Sequence, residues 1–188
     1  MESKPIKLNL GCSSYVRGYD WTNVDCRRLY GVDVVCDLND AIWPWDSNSV
    51  DEIHASHILE HLDDPLHAIL EMWRILKPDG VIHVRTPNAS GYLAHAIGHK
   101  SCLSRDWFND LHGNANHQND TGRLFRQTSF EFRIFPDGMQ GLFSRTGNWL
   151  IRAIERYGNR TPERQLLWEV SGLCVPSEIR WTANGKVS

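Results

Sequence analysis

The stretch KLNLGCSSYVRGYDWTNVD, from Lys7 to Asp25, constrains this chain more than any other. An alternating apolar strand ends at Gly11, and a second run, WTNVD, ends at Asp25. About a dozen residues separate the two, near the minimum for a parallel crossover, so no full helix fits between them. A dinucleotide site of the GxGxxG type needs that helix, because the pyrophosphate rests on its free N–H groups. Here the turn reads Gly11-Cys12-Ser13-Ser14 and the next glycine is Gly18, while GxxxxGK[ST] is absent. A ligand that relies on a helix dipole for its phosphates, such as NAD, FAD or a nucleoside triphosphate, is therefore disfavoured.

Downstream, strand and helix alternate. VDVVCDL and VDEIHAS read as further strands. HILEHLDDPLHAILEMWRILKPDG has apolar residues at helical spacing, is divided at Pro65, and closes on Lys77, Pro78 and Gly80. VIHVRTP is a fifth strand. This order predicts a parallel sheet covered by helices. From Asn88 to Phe130 no period is sustained, which suits a long loop or lid. A helical face in SRTGNWLIRAIERYG, a short helix from Thr161-Pro162, and a final strand in SEIRWTANGKV with an Asn-Gly turn complete the reading.

At 188 residues, 41% hydrophobic and 23% charged, the chain suits one domain. A net charge of -3 and a pI near 6.3 offer no basic field for nucleic acid. Five cysteines without a CxxC pair suit reduced thiols, and no segment resembles a signal peptide or a membrane span, so a cytoplasmic protein is expected.

Asp25 and Asp37 each end a strand. A carboxylate at the first can accept hydrogen bonds from ribose hydroxyls, and one at the second from an exocyclic amine, with Leu38 against the base. Either aspartate alone equally suits a turn cap. With the glycine turn, three successive strand ends face one edge, where α/β sheets bind ligands.

LNLGCS, NVD, CDL, SVDEIHASHILEHL and EMWRILKPDGVIHVRTPN together resemble the successive motifs of class I S-adenosylmethionine-dependent methyltransferases, in particular the small type with a shortened first crossover. The resemblance covers roughly Ile6 to Asn88, and the tail near ERYGNRTPERQLLWE is similar to the end of that subgroup. It implies an α/β, Rossmann-like, doubly wound and mostly parallel seven-stranded-type sheet with helices on both faces. A single domain, 1–188, would comprise a cofactor-binding half (6–88), an irregular lid-like insertion (89–130) and C-terminal helices with a strand (131–188). It further implies S-adenosylmethionine as cofactor, with Asn9, Gly11, Cys12 and Ser13 around the methionine part. Asp25 would take the ribose, Asp37 and Leu38 the adenine, and Ala55, Ser56 and His57 would line the site. Ser13 stands where a second glycine is usual, and no helix precedes the first strand, which leaves the pocket open or closed by a second copy of the chain, a possible homodimer.

Methyl transfer from a sulfonium needs alignment and exclusion of water more than covalent help. Where the acceptor must lose a proton, His57 and His61, one helical turn apart, are the candidate bases, although His61 suits packing within LEHL at least as well. His54 reads as a core residue. His95, His99, His112 and His117 fit no standard zinc spacing, and no metal is expected. Trp107, Phe108 and Trp149 could wall an acceptor site or simply fill the core. The expected function is methyl transfer to a small-molecule or sugar-like acceptor. The alternative is a non-catalytic S-adenosylmethionine-binding module that regulates or scaffolds a partner.

Overall fold

Short alternating strands separated by turns build one sheet whose two faces differ in chemistry. The structure is a computed structural model and describes residues 4–111, 124–133 and 178–186, with Ala153, Arg156 and Asn159. Its strands are β1 (Lys7–Leu10), β2 (Thr22–Asp25), β3 (Val34–Val35), β4 (Val50–Ser56), β5 (Leu76–Pro87), β6 (Phe125–Arg133) and β7 (Glu178–Lys186). They lie in the order β3-β2-β1-β4-β5-β7-β6. The first five are parallel, whereas β7 runs antiparallel to both β5 and β6. This is the seven-stranded, mostly parallel architecture that the sequence implied.

Successive side chains of a strand point to opposite faces. Leu10, Val24, Ala55, Val84, Trp181 and Phe130 share one register row and belong to the hydrophobic core or pack against it. One residue away along each strand, Asn23, Asn9, His54, His83, Thr182 and Ser129 form a polar row on the other face. Buried parallel strands are ordinarily apolar on both sides. Here the alternation in VDEIHAS and VIHVRTP is that of a sheet with one apolar face.

The expected break at Pro65 is present. A 3-10 turn covers Leu59–His61, and helix α1 (Pro65–Ile75) starts with Asp64 accepting from the His67 N–H and with Pro65 in its first turn. Ala68, Ile69, Met72 and Ile75 are buried in the core, the larger three at about 1.5–3 kcal/mol each. The helix stops at Ile75, ahead of the stop signals, and β5 already begins at Leu76. Pro78 disfavours helical geometry in the residue before it, which accounts for part of this early end.

No helix lies between β1 and β2, as the spacing required. Asn23 organises the crossover in its place. Its Oδ1 accepts from Asn9 Nδ2 at 2.9 Å and from the Arg17 N–H at 2.8 Å, and its Nδ2 donates to the Arg17 carbonyl at 3.1 Å.

The region after Asn88 is more built than expected. Within the supposed insertion stand a 3-10 turn at Tyr92–His95, helix α2 (Arg105–Asp110) and the start of β6. Phe108, Leu111 and Phe125 are core residues, with Phe108 and Phe125 at 5.6 and 5.5 Å from the Trp181 ring. Phe108 and Phe125 fill the interior against Trp181, a partner more than fifty residues further along the chain. The Asn184-Gly185 pair is likewise no hairpin turn. Gly185, at φ +69°, is an extra residue in β7, set between the Phe125–Lys186 and Arg126–Asn184 pairs as a glycine bulge. Trp149, His112, His117, Cys174 and most of the expected helices beyond Ser144 lie outside the described residues; Ala153 and Arg156, within SRTGNWLIRAIERYG, are helical as expected. None of the described helices is long and apolar enough to cross a membrane.

Candidate active site

The glycine turn sits where β1 ends. Gly11 has φ +62°, and a Cβ there would come within 2.6 Å of the Ile58 side chain, so both backbone conformation and space require glycine. Cys12 N–H donates to the Val24 carbonyl and Ser13 N–H to Asp25 Oδ2, at 2.9 Å each, which draws the ends of β1 and β2 together. Ser13, at φ +46°, adopts the left-handed conformation that a second glycine would take freely.

A cavity of about 480 Å³ opens beside this turn. Of the residues expected at the cofactor, Asn9, Gly11, Cys12, Ser56 and His57 line it. Asp25, Asp37, Leu38, Ser13 and Ala55 do not. Ala55 belongs to the apolar face, and Leu38 is buried with its carbonyl accepting from Trp43 Nε1. Asp37, exposed after β3, accepts from Asn39 N and Nδ2.

Asp25 is buried beside the turn, and its two oxygens are already engaged. Oδ2 accepts from Ser13 N–H; Oδ1 accepts from Arg27 N–H at 3.0 Å and Arg27 Nε at 3.2 Å. Burial opposes ionisation, but the Arg27 and Ser13 N–H groups and the Arg27 guanidinium outweigh it and hold the carboxyl below the usual range. Arg27 itself is largely exposed and can swing away. It lies in the RRLYGVD turn after β2 and engages Asp25, a role with no signal in the sequence.

His57 has φ +53° at the end of β4. Its Nδ1 meets Glu60 Oε1 and its Nε2 meets Glu178 Oε2, each at 3.2 Å. Hydrogen bonds to Glu178 and then Glu60 hold the imidazolium form, raising its pKa to about 9. Both carboxylates are buried, and Glu178 is also paired with Arg180 Nε at 2.7 Å. With both nitrogens committed, the ring has no free lone pair with which to take a proton. His61 does not line the cavity; its Nδ1 bonds the Gly98 carbonyl. His57 has both nitrogens occupied, and His61 does not face the cavity.

Arg17, His54, Arg85 and Glu178 also line the cavity and were not foreseen. The Arg17 guanidinium lies 4.3 Å over the Trp21 ring and has no ion pair among the described residues. Burial, then repulsion from Arg17 and Arg85, pushes His54 down to about 3, so it is neutral, and its buried Nδ1 has no hydrogen-bond partner. A second cavity of about 340 Å³ on the polar face shares Arg17, His54 and Arg85 with the first and continues to His83, Glu131 and Thr182. The strand alternation was the signal for His54, His83, Arg85 and Thr182, which occupy polar positions of alternating runs, whereas Arg17 lies in the crossover between β1 and β2.

A glycine turn at the carboxyl edge of a sheet in this order defines the class I methyltransferase fold. Residues 8–84 match the family described as methyltransferase domain, and the resemblance seen in the motifs is borne out. Enzymes of this family use S-adenosylmethionine. Among solved structures, the chain is similar to an S-adenosylmethionine-dependent methyltransferase from Archaeoglobus fulgidus (TM-score 0.61, 16% identity, covering 96% of this chain and 86% of that one). It is also similar to a putative sarcosine dimethylglycine methyltransferase from Galdieria sulphuraria (0.59, 15%, 96% and 78%). A third likeness is to geranyl diphosphate C-methyltransferase from Streptomyces coelicolor, solved with S-adenosyl-L-homocysteine (0.55, 13%, 96% and 73%). At such identities the likeness is one of fold. No curated protein sequence matches the chain.

Proposed function

We propose that the protein transfers a methyl group from S-adenosylmethionine to a small, polar acceptor in the cytoplasm. The observation that carries this reading is the roughly 480 Å³ cavity at the Gly11 turn, inside the segment matched by the methyltransferase family. Its size falls in the range of small-molecule sites. Four described cysteines, Cys12, Cys26, Cys36 and Cys102, are free thiols, which suits a reducing compartment.

The residues present fit the cofactor. His54 lines the cavity with an unsatisfied buried nitrogen, and Arg17 offers a guanidinium that makes no ion pair among the described residues, suited to the carboxylate of the methionine part. Asn9, Gly11, Cys12 and Ser13 would wrap that part, Ser56 and His57 would close its far side, and Asp25 would receive the ribose once Arg27 moves aside. Asp37 would take the adenine amine, with Leu38 supplying backbone. The bound cofactor supplies an electrophilic methyl on sulfur; the chain's task is alignment and dryness. His57, clamped by Glu60 and Glu178, orients the cavity wall and donates hydrogen bonds. The adjoining cavity of about 340 Å³, lined by charged and hydroxyl side chains, has room for a small polar acceptor.

The test is thermal stabilisation. S-adenosylmethionine and S-adenosylhomocysteine should raise the melting temperature and NAD and ATP should not, since a ligand that binds only the folded state stabilises it. An equal shift with NAD would overturn the assignment. A screen of small hydroxylated and amine acceptors, read by S-adenosylhomocysteine release, then separates an enzyme from a non-catalytic binding module.

A further inference from the structure

We propose that Glu60, His61 and His99 form a binding site for a divalent transition-metal ion of the zinc type. One donor atom from each lies within 4.8 Å of the others, although His99 is separated from the pair by nearly forty residues. Two imidazoles and a carboxylate form a donor set suited to such ions, with room for a further ligand.

The local chemistry prepares each donor. His61 Nδ1 bonds the Gly98 carbonyl at 3.0 Å, and since a carbonyl only accepts, Nδ1 carries the proton and Nε2 is left with its lone pair. A histidine oriented through its other nitrogen in this way is the usual form of a metal ligand. His99 stands edge-on to His61, ring centres 4.7 Å apart, and its Nδ1 is buried without a hydrogen-bond partner. Such atoms are uncommon in proteins. Glu60 Oε1 meets His57 and Oε2 accepts from the Thr86 hydroxyl, which fixes the carboxylate while each oxygen keeps a second lone pair.

The backbone holds the two segments together before any ion arrives. Lys100 and Ser101 N–H groups both donate to the Glu60 carbonyl, at 2.7 and 3.2 Å. The Lys100 ammonium is drawn to Asp63 at 2.7 Å. Ligand atoms around tetrahedral zinc stand roughly 3.4 Å apart, so a pair at the 4.8 Å limit has to close by roughly 1.4 Å, a side-chain rotation. The ion would pin the chain near His99 to the turn that carries His57 into the cavity.

The experiment is a titration of chelator-treated protein with Co²⁺, followed by its visible absorption, and then displacement with Zn²⁺. One saturable equivalent with d–d bands, displaced by Zn²⁺, is expected. His99→Gln and His61→Gln should each weaken binding by more than about tenfold. His95→Gln, whose ring lies 3.8 Å from Cys102 Sγ, should leave it unchanged. Melting curves of the metal-free variants check folding; if His61→Gln does not fold, His99→Gln decides, since its ring is only partly buried. Absence of a saturable site, or affinity retained in His99→Gln, overturns the proposal. The readout involves neither cofactor nor methyl transfer, so its failure and that of the methyltransferase reading are distinguishable.

Discussion

Asn9 Nδ2 donates to Asn23 Oδ1 at 2.9 Å, joining β1 to β2 by side chains as well as by backbone. Both amides are almost wholly buried, and Asn23 bonds the N–H and the carbonyl of Arg17 at once. Replacing Asn23 leaves buried groups unpaired at the crossover. Asn23→Ala should cost about 2–4 kcal/mol, a few unmade buried hydrogen bonds, in urea denaturation. Asn23→Asp also turns a buried carboxylate toward Asp33 Oδ2, to which Asn23 Nδ2 donates at 3.2 Å, so it should cost at least as much as Ala at neutral pH; wild-type stability in both variants would show that the crossover holds itself.

Removal of the His57 ring leaves Glu60 and Glu178 facing one another's site without their shared cation. His57→Ala should destabilise the fold by about 3 kcal/mol, the scale for breaking a buried pair from one side. His57→Asn tolerates the left-handed backbone better and should lose less. Equilibrium unfolding of the two variants side by side makes the comparison.

Acid should act through Glu71. Its hydrogen bonds from Arg74, with Nε to Oε1 and Nη2 to Oε2 both at 2.7 Å, outweigh burial and depress its pKa; the Trp43 N–H adds to this. A depressed carboxyl contributes stability that is full above the unfolded-state value, near 4.3 for Glu, and is lost as pH falls through the lower folded value. The urea midpoint should therefore drop below about pH 4.3, and Glu71→Gln should flatten that part of the profile. An unchanged slope in the variant would assign the acid sensitivity to other carboxylates.

Asp25→Ala should weaken S-adenosylhomocysteine binding by about 1.5–3 kcal/mol, the range for hydrogen bonds to a charged group. Arg27→Ala, which frees the same carboxylate, should not weaken it. Calorimetric titration distinguishes the two, and unaltered affinity in Asp25→Ala would leave that residue as a structural cap of the Ser13 turn.

The cofactor half was legible in the chain because its signals are local. Gly11, the strand-ending Asp25 and the break at Pro65 each act on backbone within a few residues, and the short crossover excluded a helix by length alone. What the chain did not show were long-range partners. Phe108 and Phe125 have no local signal for their packing on Trp181, and Asn184-Gly185 looked like a turn because its bulge exists only against β6. The pairing of His57 Nε2 with Glu178, 121 residues away, likewise has no signal in its neighbours.

The sequence by itself determined the α/β class, the helix-free crossover and the methyltransferase motifs, since period, spacing and turn chemistry are carried by neighbours in the chain. Only the tertiary structure decided which groups share a space. It set Arg17, His54 and Arg85 around two adjoining cavities, paired His57 with Glu60 and Glu178, and brought His99 to His61. Protonation and ligand binding depend on distances of a few ångströms between side chains, and register and packing set those distances across segments whose separation along the chain carries no record of them.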